Sequence, residues 1–156
     1  MRVYLVQHGE ATAKDVNPER PLTDKGRRDV EAVAAFIGPL GLRVSHVLHS
    51  GKTRAAQTAE ILGTSVTADR GIVYRAGLAP NDPVAPLVEE LTSTAEGLMI
   101  VGHLPFMGKL ASTLLTGSES VDVVVFRQGG VVCLERDDDG TWRVAWIVVP
   151  ELLDIP

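Results

Sequence analysis

The sequence predicts an α/β protein, a three-layer α/β/α sandwich whose mostly parallel sheet has one antiparallel edge. Two observations lead to this fold class. Short apolar runs alternate with amphipathic helical segments over most of the chain, which is the pattern of parallel strands joined by helical crossovers. The last part instead holds consecutive strand-like runs, which indicates an antiparallel pair at one edge. At 156 residues, we expect a single domain that spans 1–156.

The first half of the chain contains five predicted elements, each recognised by its apolar pattern and by the residues that bound it. β-branched and aromatic runs indicate strands, Thr and Ser before a periodic segment indicate helix N-caps, and Gly with Pro indicates an end. In order, these elements are a strand over Arg2–Gln7, a helix from the N-cap Thr23 to about Ile37, a strand over Val44–Leu48, a helix from about Lys52 to Leu62 capped by Ser50, and a strand over Ile72–Tyr74.

The second half is predicted in the same way. Asp82-Pro83 is an N-cap followed by Pro at the first helical position. The sequence Asp137-Asp138-Asp139-Gly140 lies between two strand-like runs and predicts a hairpin turn. The predicted elements are a helix from Asp82 to about Leu91, a strand over Leu98–Val101, a helix from Pro105 to about Leu115, and strands over Val121–Phe126, Gly130–Glu135 and Trp142–Val148.

Composition excludes several classes of function. The net charge is −5 and only 4% of residues are aromatic, which argues against a nucleic-acid partner. Cys133 is the only cysteine, so there is no disulfide framework, and a buried position on a strand is expected for it. No apolar stretch approaches the roughly 20 residues that span a bilayer. No signal peptide is visible either, and we therefore expect a cytoplasmic protein without a membrane partner.

Three polar residues follow predicted strands at the point where each strand ends. His8 follows the first strand, Ser50 follows the second, and His103 follows the strand over Leu98–Val101. In an open α/β sheet, the residues beyond the carboxyl ends of the strands converge on one crevice. The sequence therefore predicts that these three side chains share a site.

The residue types at this predicted site are suited to phosphoryl transfer. A neutral imidazole such as that of His8 can act as a nucleophile, and positive charge must surround the equatorial phosphoryl oxygens. Arg54 lies in the first turns of a predicted helix, whose N-terminus favours anions. Arg20 comes from a polar loop, and His103 supplies a second imidazole. The four histidines lack ligand spacing, so we expect neither a metal nor another cofactor.

Four motifs, in the order in which they occur, resemble those of the histidine phosphatase superfamily, also called the phosphoglycerate mutase-like fold. They are Gln7-His8-Gly9-Glu10, Arg20-Pro21-Leu22-Thr23-Asp24-Lys25-Gly26, Ser50-Gly51-Lys52-Thr53-Arg54-Ala55-Ala56-Gln57-Thr58-Ala59 and Gly102-His103-Leu104-Pro105. The short chain and the second motif look most like the SixA-type phosphohistidine phosphatases. The resemblance implies that His8, His103 and Arg54 are catalytic and that Gln7, Arg20, Arg54 and Ser50 bind the phosphoryl group.

The sequence departs from the family pattern at two places. The first motif of the family is Arg-His-Gly, but Gln7 stands where the phosphate-binding Arg is expected. Gln keeps a hydrogen-bond donor but has neither the positive charge of Arg nor its bidentate guanidinium group, which predicts a slow enzyme. Lys52 is a candidate to replace the missing charge. Mutase-like members also carry a Glu as general acid after the third strand; Asp82 is the only acidic candidate in that segment here, and its position also fits an N-cap.

These observations predict a phosphohydrolase that works through a phosphohistidine intermediate. The preferred substrate is phosphohistidine on a partner protein. One alternative is a phosphatase of small phosphorylated metabolites. Another is a catalytically weakened module that binds phosphate or a phosphoprotein, for which Gln7 would be the signature.

Overall fold

In the computed structural model, which describes residues 1–154, strands and helices alternate as the sequence predicts. The strands are β1 (Arg2–Gln7), β2 (Arg43–Val44), β3 (His46–His49), β4 (Thr67–Ala68), β5 (Ile72–Tyr74), β6 (Leu98–Gly102), β7 (Val131–Arg136) and β8 (Trp142–Val148). The α-helices are α1 (Asp24–Ile37), α2 (Thr53–Gly63), α3 (Ala85–Ser93) and α4 (Phe106–Thr116). Short 3₁₀ turns cover Gly38–Leu40 and Pro150–Leu152. None of the helices in the described residues is long and apolar enough to cross a membrane.

The central sheet has six strands in the order β5-β3-β6-β1-β7-β8. Strands β5, β3, β6 and β1 pair in parallel, whereas β7 is antiparallel to both β1 and β8. A mostly parallel sheet with an antiparallel edge is thus confirmed. Parallel strands that follow one another in sequence need helical crossovers, and the chain supplies these with α1, α2 and α3, whereas α4 leads from β6 to the antiparallel β7.

Two apolar cores cover the two faces of the sheet and create the three layers. Successive side chains of β1 point to opposite faces, because a strand has a period of two. Val3 and Leu5 therefore join the core beneath α3 and α4, while Tyr4 and Val6 join the core beneath α1 and α2. The three-layer arrangement is confirmed, and Cys133 is buried on β7 in the second of these cores.

Several local predictions are confirmed by the geometry. Thr23 is the N-cap of α1, and its hydroxyl accepts a hydrogen bond from the Gly26 N–H at 2.9 Å. The turn at Asp137–Gly140 joins β7 to β8, with the Asp137 N–H donating to the Thr141 carbonyl at 2.9 Å. Gly140 occupies this turn with φ of +88°, a conformation that favours glycine.

Two strand predictions are wrong. The run predicted over Val44–Leu48 is split: Val44 pairs with β4 in a separate two-stranded sheet, and β3 in the main sheet begins at His46. The run over Val121–Phe126 has alternating character but is in no strand. Val124 and Phe126 are buried in the core beneath α3 and α4, while Val125 is 67% exposed. The alternation of buried and exposed side chains there reflects packing of one side of this segment on the core.

The helix boundary predicted at Asp82-Pro83 is also wrong. Helix α3 begins at Ala85, its N-cap is Val84, and the Pro in its first turn is Pro86. The Asp82 carboxylate instead accepts the Ala79 N–H at 2.8 Å, which closes a turn before the helix. Pro83 therefore lies before the helix rather than inside it.

Candidate active site

The strand order brings His8, His103 and Ser50 to three neighbouring strand ends. β6 lies between β1 and β3, so the residues that follow these strands stand side by side at one edge. Neighbouring strands are about 4.8 Å apart. The ring centroids of His8 and His103 are 4.9 Å apart. The predicted convergence of the three residues is thus observed in the structure.

His8 is held in one orientation by its own backbone. The imidazole is 7% exposed, and its Nδ1 lies 2.7 Å from the carbonyl oxygen of Gly9, to which it can only donate. The proton of the neutral ring is therefore on Nδ1, and the lone pair of Nε2 is free. Burial, together with the charges of Arg54 and Arg20, lowers the pKa of His8 to about 4. The ring is consequently neutral at neutral pH.

His103 is 2% exposed and contacts Ser50. The hydroxyl oxygen of Ser50 is 2.6 Å from Nε2 of His103, while Nδ1 is buried and has no partner in the described part of the chain. Burial is the largest cause that lowers the pKa of His103 to about 3, and the nearby His8 and Arg54 act in the same direction. This imidazole is also neutral near pH 7.

The start of α2 brings positive charge to the two imidazoles. Arg54 is in the first turn, and its Nε is buried without a partner in the described residues. Lys52 is the N-cap, makes no side-chain capping bond, and adds to the charges that lower the pKa of His103. The first turn holds no acidic residue. A helix N-terminus is already electropositive, so this basic start is suited to binding an anion.

Arg20 reaches the same region from the loop before α1. Its backbone has φ of +50°, in the left-handed region that costs a non-glycine residue roughly 1–2 kcal/mol. The strained loop is held by the bond from the Arg20 Nε to the Thr12 carbonyl at 3.1 Å. The positive charge of Arg20 contributes to lowering the pKa of both His8 and Arg54.

Comparisons with known proteins identify the family. The family described as the histidine phosphatase superfamily (branch 1) matches residues 3–79. An uncharacterized protein of Picosynechococcus sp. is 33% identical over an alignment of 124 residues that covers 75% of this chain and 74% of that protein. Phosphohistidine phosphatase SixA of Escherichia coli (strain K12) is 25% identical over 155 residues, 96% of this chain and 94% of SixA. The chain belongs to the histidine phosphatase superfamily.

The fold supports the same assignment. The structure of SixA complexed with tungstate superposes with a TM-score of 0.85 at 23% identity, covering 99% of this chain and 100% of SixA. The resemblance to the SixA-type members of the superfamily is confirmed, and so is the fold class. Membership of the superfamily supports a phosphatase activity.

Gln7 stands where the superfamily motif carries an Arg, and its side chain is half-buried at the end of β1. Its backbone is fixed at two points. The Gln7 carbonyl accepts the Gly129 N–H at 2.9 Å, and Gln7 pairs with Gly102 in the parallel register of β1 and β6. Its amide has no hydrogen-bond partner within the described residues. A side chain at this position can therefore change without breaking the strand.

The Asp82 carboxylate is engaged within its own loop. Besides accepting the Ala79 N–H, Asp82 lines a cavity of about 330 Å³ together with Arg75 and Glu90, whose charged groups are 2.9 Å apart. The charges that act on His8 come from Arg54 and Arg20 instead.

Sequence reasoning gave no role to two residues of the third motif that hold the site together. Thr58 is fully buried, and its hydroxyl accepts the Gly9 N–H at 3.0 Å and donates to the Arg54 carbonyl at 2.8 Å. Gln57 accepts the Leu22 N–H at 2.8 Å, which ties the loop of Arg20 to α2. The signal in the sequence that could have indicated these roles was the polar character of both residues within a helix whose inner face is otherwise apolar.

Close packing explains the glycines of the first two motifs. A Cβ on Gly9 would lie 2.8 Å from Cγ2 of Val30 on α1, and a Cβ on Gly26 would collide with the carbonyl oxygen of Glu10. The start of α1 therefore rests directly on the loop that follows His8. Among residues 1–154, no group of three or more His, Cys, Asp or Glu side chains is placed to hold a metal ion.

Proposed function

We propose that this chain removes the phosphoryl group from phosphohistidine on a partner protein, through a phosphohistidine intermediate on His8. The observation that carries this proposal is the state of His8. Its Nδ1 is committed to the Gly9 carbonyl, and its lowered pKa keeps Nε2 unprotonated. A neutral imidazole with one free lone pair is what nucleophilic attack on phosphorus needs. SixA, which is named a phosphohistidine phosphatase, resembles the chain over 96% of its length.

The reaction consists of two displacements. Nε2 of His8 attacks phosphorus, and the bond between phosphorus and the leaving nitrogen breaks, with its electron pair going to that nitrogen. Water then attacks phospho-His8, which releases inorganic phosphate and restores the imidazole. In both steps, negative charge is spread over the three equatorial oxygens.

Cationic groups around His8 are the proposed ligands of those oxygens. Arg54 offers a guanidinium whose buried Nε has no protein partner in the described residues, at a helix start that already favours anions. Arg20 adds a second guanidinium from the opposite loop, and Lys52 adds an exposed ammonium. The SixA structure was obtained with tungstate, an oxyanion that resembles phosphate in shape and charge, which supports an anion site in this fold.

The preference for a nitrogen leaving group follows because Asp82, the candidate general acid, is already engaged in another hydrogen bond. The Asp82 carboxylate is engaged by the Ala79 N–H, 2.8 Å away. An alkoxide needs a proton to leave, whereas the imidazole of phosphohistidine can be protonated on its far nitrogen near neutral pH and then departs neutral. The site should therefore cleave P–N bonds in preference to alkyl P–O bonds.

A series of leaving groups tests this proposal. We expect kcat/KM to fall from phosphohistidine or phosphoramidate to aryl phosphate and then to alkyl phosphate, with Asp82→Asn changing the first value little. Rapid quench should trap acid-labile phosphate on the wild-type protein and none on His8→Ala. Efficient alkyl phosphate hydrolysis that Asp82→Asn abolishes would favour a phosphatase of small metabolites. Tight phosphate binding without turnover of any substrate would favour a binding module.

A further inference from the structure

Ser50 was expected to bind phosphate, but its hydroxyl is used elsewhere. The Ser50 oxygen lies 2.6 Å from Nε2 of His103, a short distance even for a bond that involves a hydroxyl. The other ring nitrogen, Nδ1, is buried and lacks a partner in the described residues. The ring lies at the site because its centroid is 4.9 Å from that of His8. The contact between Ser50 and His103 thus leaves Nδ1 as the ring nitrogen that has no partner in the described residues.

The location of the proton on His103 decides what this nitrogen can do. The ring stays neutral near pH 7, because burial lowers the pKa of His103 to about 3, and a neutral imidazole carries one N–H. If Nε2 carries the proton, it donates to Ser50, and Nδ1 presents a lone pair. If Ser50 donates to Nε2, then Nδ1 carries the proton and can donate.

Two features favour the second arrangement. The backbone N–H of Lys52 lies 3.4 Å from the Ser50 oxygen, which directs one lone pair of that oxygen toward the chain and leaves the hydroxyl hydrogen free for His103. A phosphoryl group would also meet a repulsive lone pair on Nδ1 in the first arrangement and a hydrogen-bond donor in the second. An anion surrounded by Arg54 and Arg20 needs the donor.

The geometry points to Ser50 as a positioning residue that donates its hydroxyl hydrogen to Nε2 of His103, so that Nδ1–H of His103 faces the phosphoryl oxygens. This inference rests on the proposed function, since it places a phosphoryl group beside Nδ1. The Ser50 hydroxyl then has no hydrogen left for phosphate. Its effect on the reaction passes through the tautomer of His103.

Nitrogen-15 NMR of the histidine rings tests the tautomer directly on the wild-type protein without substrate. A protonated and an unprotonated ring nitrogen differ strongly in chemical shift, and spectra of His8→Gln, His46→Gln and His49→Gln variants assign the four rings. His49 provides an internal reference, because its Nδ1 accepts the Gly51 N–H at 3.0 Å and its proton must be on Nε2. We expect the opposite tautomer, with the proton on Nδ1, for both His8 and His103.

Two variants then show whether Ser50 sets this tautomer. In Ser50→Ala, we expect the proton of His103 to redistribute toward Nε2 and kcat/KM to fall about two- to tenfold, as for the loss of one hydrogen bond. Ser50→Thr keeps the hydroxyl and should preserve the spectrum and most of the activity. The tautomer of His8 should be the same in all three proteins, because it depends on the Gly9 carbonyl.

A wild-type His103 with its proton on Nε2 would overturn the inference, and so would a tautomer that Ser50→Ala leaves unchanged. The spectra need no turnover. A wild-type protein that lacks phosphatase activity would therefore refute the proposed function, while the expected tautomer would still support the role of Ser50.

Discussion

Replacing Gln7 by Arg restores the charge that the superfamily motif carries beside the nucleophile. The backbone of Gln7 is paired with Gly102 and bonded to Gly129, and its half-buried amide has no partner in the described residues. The substitution should therefore leave β1 intact. The new guanidinium would lie next to His8 in the sequence and would gain a bidentate contact with a phosphoryl group.

The size of the gain follows from the strength of hydrogen bonds to charged groups. Such a bond contributes about 1.5–3 kcal/mol, which corresponds to roughly 10- to 150-fold in rate if it forms only in the transition state. Arg54 and Arg20 already place positive charge at the site, as their effect on the pKa of His8 shows. Repulsion from them offsets part of the gain, so we expect kcat/KM to rise by about 10- to 100-fold.

The assay compares Gln7→Arg with two matched variants on phosphoramidate and on an aryl phosphate. Gln7→Lys adds the positive charge without the bidentate guanidinium group, so its kcat/KM should rise less. Gln7→Met keeps the length of the side chain but removes its polar group, so its kcat/KM should not rise. If Gln7→Arg is folded, by its thermal unfolding, and yet reacts no faster than wild type, the reasoning is refuted: the charge at the site would then already be sufficient.

Three further predictions concern pH, packing and metals. The pKa of His8 is lowered to about 4 and that of His103 to about 3, so the unfolded chain binds protons that the folded chain does not between these values and pH 6.5. The free energy of unfolding should therefore decrease as the pH is lowered through this window, by about 3 kcal/mol for His8 and about 5 kcal/mol for His103. The His8→Gln variant should remove part of this slope in denaturant titrations. Thr58→Val leaves the buried Gly9 N–H without its acceptor and should cost about 1–3 kcal/mol of stability, whereas the control Thr113→Val, on an exposed face of α4, should cost much less; equal losses would contradict this reading. Chelators should leave the phosphatase activity unchanged, and activity lost with chelator and restored by a divalent ion would overturn the mechanism.

Local patterns in the sequence were sufficient for the fold class and for the outline of the site. The alternation of strands and helices predicts the parallel sheet, and the N-cap of α1 at Thr23 is found where predicted. His8 and His103 were predicted to meet because both follow buried strands. Such predictions succeed because the period of apolar residues and the chemistry of caps act over a few neighbouring residues.

Features that depend on distant neighbours could not be predicted in this way. The run over Val121–Phe126 looks like a strand, but it pairs with no strand of the sheet, and Val124 and Phe126 pack instead against the core beneath α3 and α4. Asp82 has the residue type of an N-cap, yet its carboxylate closes a turn with Ala79 before the helix. In both cases, the local pattern allows more than one structure.

By itself, the sequence determined which side chains lie at the edge of the sheet, because a residue that ends a buried strand must emerge there. Only the tertiary structure decided which of them touch. Placing β6 between β1 and β3 sets His103 between His8 and Ser50, and this order depends on crossovers that no local pattern encodes. The partner of the Ser50 hydroxyl, and therefore the proton of His103, follows from that order of strands.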